Sequence, residues 1–141
     1  MTSKTYLLLA TLLWGLWALG EKYAVARVHP YTVQWMHSIP YVLLLPVWFL
    51  LARRAAPQAV MDWTALAWAS GACVASLLAM LLLVFAMRTE PASVATAVTS
   101  TYPLVVLLLS VLTGEETLTS KRLIGLGLAI SGVIVMQLPE R

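Results

Sequence analysis

Charge is scarce in this sequence. Asp, Glu, Lys and Arg make up 11% of its 141 residues, where a soluble domain carries about 25%. Hydrophobic residues make up 61%, and the mean hydropathy is +0.87. Water is the wrong solvent for most of the surface of such a chain, which reads as an all-α membrane protein. The few basic residues give a net charge of only +3. They stand singly or in pairs at the ends of apolar runs, the pattern of loops flanking membrane spans, and form no basic stripe for nucleic acid.

Cysteine is nearly absent too. Cys73 lies alone inside an apolar run, which excludes a disulfide framework and a cysteine metal cluster and leaves it a small packing residue. No nucleophile stands at a sensible spacing from a histidine and an acid, no glycine-rich phosphate loop is present, and no metal-ligand cluster occurs. The chain is therefore expected to move or accommodate molecules without converting them, and no cofactor is implied.

What the sequence does have is length of apolar run. Crossing a hydrocarbon core of about 30 Å takes about 20 mostly apolar residues. Five runs qualify, at about 4–25, 31–51, 63–87, 91–112 and 121–138. In lipid the backbone must pair with itself, so each run is expected to be a helix and the chain a single unit of five transmembrane helices over residues 1–141. Charged turns divide the runs: His29-Pro30, Arg53 to Pro57, Arg88 to Pro91 and Gly114 to Thr117. Pro30 and Pro91 suit the first turn of a following helix. Ala24-Val25-Ala26 loosely imitates a signal-peptidase site, but Glu21, Lys22 and Tyr23 intervene and further spans follow, so no cleavage is expected.

Orientation is weakly specified. One side collects Lys4, Arg53, Arg54, Lys121 and Arg122; the other collects Lys22, Arg27, Arg88 and Arg141. Five against four is barely a positive-inside bias, so insertion either way up is expected. Tyr6, Tyr31, Trp48 and Trp63 lie near span ends as interfacial anchors.

Small residues mark helix contacts in lipid. Ala67, Gly71, Ala75 and Ala79 form a stripe on the third run, and Gly125, Gly127, Ala129, Ser131 and Gly132 smooth the fifth, where a dimer contact is expected. The fourth run carries Ser93, Thr96, Ser100 and Thr101, then Tyr102-Pro103 in mid-span. Proline there bends the helix, beside hydroxyls that either pack or line a polar path.

Glu21 is the acid embedded in an apolar run, about 22 Å along the first helix from Tyr6. It shares a face with Trp14, Ala18 and Val25. Two readings stand: it neutralises an interfacial Lys22, or it belongs to a polar site. Trp14, Trp17 and Trp35 either pack or form an aromatic wall. Gln34, His37 and Tyr41 share one face of the second run and either bond to one another or line a cavity. Glu115 is read as a loop acid capping or pairing with Lys121 or Arg122, with Thr119-Ser120 as the N-cap of the last helix.

These residues resemble a known family. The segments LLWGLWALGEKYA at 12–24, HPYTVQWMH at 29–37 and FAMRTEPASVATAVTSTYPLVVLLLSVLTGEETLTSKRLIGLGLAISGVIV at 85–135 are similar to the EamA domain of the drug/metabolite transporter superfamily. Trp14-Gly15, Pro91, Tyr102-Pro103, Gly114-Glu115, Gly125 and Gly132 fall in that family's order. His37 departs from it, standing where EamA domains commonly have an arginine. The last three runs also resemble small multidrug resistance proteins, but aligning Lys22 with their lysine puts Trp14 where they have a first-helix glutamate, so that mechanism does not carry over.

The resemblance implies the drug/metabolite transporter (EamA) fold and a secondary active transporter, exporter or exchanger, of small organic metabolites or drug-like molecules. EamA proteins usually carry two such domains of opposite orientation. One copy implies alternating access in a homodimer, possibly antiparallel, in the lipid of a bacterial inner membrane. The expected substrate-binding residues are Trp14, Trp17, Glu21, Gln34, His37, Tyr41 and Tyr102, with proton coupling through Glu21 or His37 and a helix kink at Pro103. The alternatives are a polyspecific organic-cation exporter and a non-transporting membrane subunit that pairs with another EamA-like chain.

Overall fold

Each apolar run is helical in the computed structural model, which describes residues 3–56 and 62–138. Pro57 and Arg141, invoked above for a turn and for the charge count, lie outside the described residues. Six helices are formed among the described residues: α1 Ser3–Val25, α2 Pro30–Ala55, α3 Trp63–Ala86, α4 Ala92–Thr99, α5 Tyr102–Leu112 and α6 Ser120–Met136. They fall into two compact units, one ending at Arg88 with α1 to α3 and the other starting at Thr89 with α4 to α6.

In the first unit α1, α2 and α3 pack pairwise, and the packing is concentrated at one end. The buried residues are Ala18, Glu21 and Val25 of α1, Pro30 and Val33 of α2, and Val84 of α3 with Met87 just beyond it. Local chemistry builds that end. His29 caps α2 by accepting from the Tyr31 amide at 3.3 Å, and Pro30 takes the first helical position, where a missing N–H costs nothing. The rings of His29, Tyr31 and Phe85 cluster with centroids 5.1 to 5.7 Å apart. They pin the α1–α2 turn to the end of α3. Lys22 adds a cation there, donating to the carbonyl of Met87 at 2.5 Å, where the negative end of the α3 dipole lies.

Away from that end the helices expose their sides. Every residue of α2 from Ser38 to Ala55 and of α3 from Trp63 to Ala79 is exposed. The stripe Ala67, Gly71, Ala75 and Ala79 therefore lies open within the chain, and neither α1 nor α2 is the neighbour that it was expected to touch. The physical reason is that α1 and α2 approach α3 only over its last turns.

In the second unit the expected fourth run is interrupted. α4 ends at Thr99, Ser100 and Thr101 form a turn, and α5 begins at Tyr102 with Pro103 in its first turn. Pro103 has no N–H to give to the carbonyl of Thr99. Four neighbouring hydroxyls donate to other carbonyls in the preceding turn: Thr96 to Ala92 at 2.7 Å, Thr99 to Thr96 at 3.0 Å, Ser100 to Ala97 at 2.7 Å and Thr101 to Val98 at 2.7 Å. Such back-bonding bends helices. α4 packs on α6, which Thr119 caps by accepting from the Arg122 amide at 3.4 Å. Gly114, at φ +79°, makes the left-handed turn after α5. The acid that pairs in this loop is Glu116, 2.8 Å from Arg122, rather than Glu115.

Among the described residues three segments are long and apolar enough to cross a membrane: Pro30–Ala55, Trp63–Ala86 and Ala92–Leu112 taken as one broken span. α1 is long enough but carries Lys4, Glu21 and Lys22, and α6, at 17 residues, extends about 26 Å.

The start of α3 is set by Asp62, whose carboxylate accepts from the amides of Thr64 at 2.8 Å and Ala65 at 3.1 Å. Asp62→Ala is expected to lower stability by about 0.5–2 kcal/mol, read as a lower midpoint in thermal unfolding followed by circular dichroism in detergent.

Candidate functional site

An acid inside an apolar helix needs a partner, and the α1–α2 hairpin supplies one. Glu21 lies about one turn before the end of α1, and His37 about two turns into α2. Antiparallel packing across a short turn puts them side by side: His37 Nε2 stands 2.5 Å from Glu21 Oε1. Glu21 is 4% exposed, the one buried charged residue among those described. Its neighbours on the inward face of α1 are Ala18 and Val25. Of the two readings open from the sequence, pairing with Lys22 gives way to a pairing with α2, while Lys22 reaches toward α3.

Gln34 lies one turn before His37 on the same face of α2. Three polar atoms here are buried without a hydrogen-bond partner: Glu21 Oε2, Gln34 Oε1 and His37 Nδ1. Gln34 and His37 therefore do not satisfy each other, although internal bonding was one expectation for their face.

The aromatic residues form a second feature farther along the same helices. The rings of Trp14 and Trp17 meet edge to face with centroids 5.1 Å apart. Together with Ala10, Leu13, Tyr41 and Met80 they line an open cavity of about 320 Å³. Trp14 is 63% exposed, so it stands out from the buried face that holds Glu21. Tyr41, expected beside Gln34 and His37, belongs to this cavity. Trp35 is 65% exposed and outside its lining, so the aromatic wall consists of Trp14, Trp17 and Tyr41. Tyr102, also exposed, and Pro103 belong to the second unit, at the α4–α5 break.

With this geometry in view, comparison with known families matches residues 2–138 to the EamA-like transporter family. The chain belongs to that family. It is an integral membrane protein of a transporter family of the drug/metabolite superfamily, as its apolar helices require. No curated protein and no solved structure matches significantly. EamA-like membership accounts for the exposed apolar sides of α2 and α3, which meet lipid rather than water.

Met80, Ala10 and Leu13 were missed at the sequence level. They are apolar residues in apolar helices, and nothing in their spacing separates a cavity wall from a lipid-facing surface. Among the described residues no group of His, Cys, Asp and Glu is arranged to hold a metal.

Removing one member of a buried ionic pair strands the other, whereas removing both does not. Glu21→Leu and His37→Leu are each expected to destabilise the protein. The double variant should be more stable than the sum of the singles by about 0.5–3 kcal/mol, in thermal unfolding in detergent. Additivity within error would show that the pair contributes nothing.

Proposed function

We propose that this EamA-like chain is a secondary active transporter, an exporter or exchanger of small organic metabolites or drug-like molecules, in which Glu21 and His37 couple transport to protons. The buried Glu21–His37 contact carries the reading. Ionisable side chains inside membrane helices are costly, face a bundle interior or water, and mark ion and substrate pathways. Histidine is the side chain whose ordinary charge change falls between about pH 5 and 8, so a carboxylate–imidazole pair can take up and release a proton under physiological conditions. The cavity of Trp14, Trp17 and Tyr41 offers an apolar and aromatic surface to a substrate, and Tyr102 offers a separate aromatic surface in the second unit.

The working unit in this reading is a dimer of five-helix domains in a bacterial inner membrane. Transporters commonly bind substrate between inverted repeats and rock one against the other. Two copies of this domain supply inversion by inserting both ways, which the five-to-four distribution of Lys and Arg permits. Two surfaces suit helix pairing: the open stripe on α3 and the glycines of α6, where a Cβ added at Gly71, Gly125, Gly127 or Gly132 would meet nothing within 4 Å. The bend before Pro103 is the place where a span changes direction during alternation.

In proteoliposomes bearing a pH gradient, Glu21→Gln and His37→Ala are expected to abolish the gradient's effect on solute uptake. Full pH response in both variants would refute the coupling. Single cysteines placed near each end of the chain, in a Cys73→Ser background, should label from both sides of the membrane. Labelling from one side only would exclude the antiparallel dimer.

A further inference from the structure

A histidine that caps a helix accepts a hydrogen bond only while its ring nitrogen is unprotonated. His29 holds that position on α2. Its backbone is extended, its Nδ1 accepts from the Tyr31 amide at 3.3 Å, and its carbonyl accepts from the amides of Thr32 at 2.8 Å and Val33 at 3.1 Å. Protonation turns Nδ1 into a donor. The Tyr31 amide then loses its acceptor, and an imidazolium stands at the positive end of the α2 dipole. Both changes act against the first turn of α2. Asp62 and Thr119 cap α3 and α6 with oxygen acceptors. Among the side-chain caps described, His29 is thus the one built from a group whose ordinary charge change falls between about pH 5 and 8.

We propose that His29 is a proton-sensitive latch: neutral, it closes the first turn of α2 against α3, and protonated, it releases that turn. The inference is independent of the transporter reading and concerns a residue outside the Glu21–His37 contact. The ring is what makes the cap a latch. Its centroid lies 5.1 Å from that of Tyr31 and 5.7 Å from that of Phe85 in the last turn of α3, so the group that begins α2 also joins it to α3. Pro30 and Val33 in the same turn are buried and belong to the small packed end of the first unit. Losing the cap therefore loosens packing as well as one hydrogen bond.

The surrounding groups leave the charge change to His29. Arg27, two residues earlier in the turn, is exposed. On α1, Lys22 donates to the Met87 carbonyl and Glu21 meets His37 of α2. Farther along α2, Tyr41 lines the aromatic cavity, and Arg53 and Arg54 stand in the last turn. α3 contributes Cys73, which is exposed, and Arg88 follows it, also exposed; Glu90 belongs to the second unit. No ion pair to His29 is formed among the described residues, so no carboxylate holds its imidazolium in the closed position.

The test uses the purified full chain in detergent micelles, with amide hydrogen exchange of Tyr31, Thr32 and Val33 resolved by NMR and corrected for the intrinsic effect of pH. Protection of these amides is expected to fall about three- to tenfold from near pH 7.5 to near pH 5.5. The midpoint should follow the titration of the His29 ring, read from its carbon-bound protons; this readout needs no variant. Among variants that elute as the wild type does, His29→Asn, whose amide oxygen caps at either pH, should stay protected throughout. His29→Ala should show the low value at both.

Protection that does not change with pH, a midpoint that follows the His37 ring, or an equal loss in His29→Asn would overturn the proposal. So would full protection in His29→Ala near pH 7.5, because the ring would then contribute nothing to closing the turn.

Discussion

Taking a carboxylate out of water is the costliest step in this structure, and the first unit is organised around it. Even after relaxation, a buried ion carries a penalty of several kcal/mol unless a partner and hydrogen bonds offset it. Glu21 is buried on α1 and met by His37 of α2. That contact sets the register of the α1–α2 hairpin, because sliding either helix by a turn would strand the acid in an apolar setting. The neighbouring packing follows: Ala18 and Val25 flank Glu21 on α1, Val33 sits one turn before His37, and Val84 with Met87 closes the group from α3.

Lipid as solvent explains why so little else is buried. In water, the bare sides of α2 and α3 would expose a large contiguous apolar surface; in hydrocarbon they cost nothing, and only the backbone must be paired internally. Helix contacts therefore need specific causes. At the turn end these are the His29, Tyr31 and Phe85 rings and Lys22 against the α3 carbonyl. Along α3 and α6 the small residues offer close approach and have no neighbour filling the space of an added Cβ, which is the physical ground for assigning these faces to helix pairing.

The α4–α5 break shows the same accounting applied to the backbone. Pro103 removes one donor, and the hydroxyls of Thr96, Thr99, Ser100 and Thr101 each donate to a carbonyl of the preceding turn. The break thus lies in the second unit and the Glu21–His37 contact in the first.

Much of this was legible in residue order because its causes are local. The scarcity of charge determined the solvent, run length determined the helices, Pro103 marked the break, Thr119 marked the start of α6, and the motifs from Trp14 to Gly132 determined the family. What local order left open was pairing. Glu21 has Lys22 beside it in sequence and His37 sixteen residues away, and periodicity puts Tyr41 on the face of His37 and Trp35 among the tryptophans. Side-chain direction and helix crossing decide these matters, and both depend on contacts distant in sequence. Only the tertiary structure turned Glu21 toward His37, placed Tyr41 with Trp14 and Trp17, left Trp35 outside, and recruited Met80 to the cavity. The sequence by itself determined which groups are too costly to leave alone in a membrane, and packing between helices determined which partner each of them met.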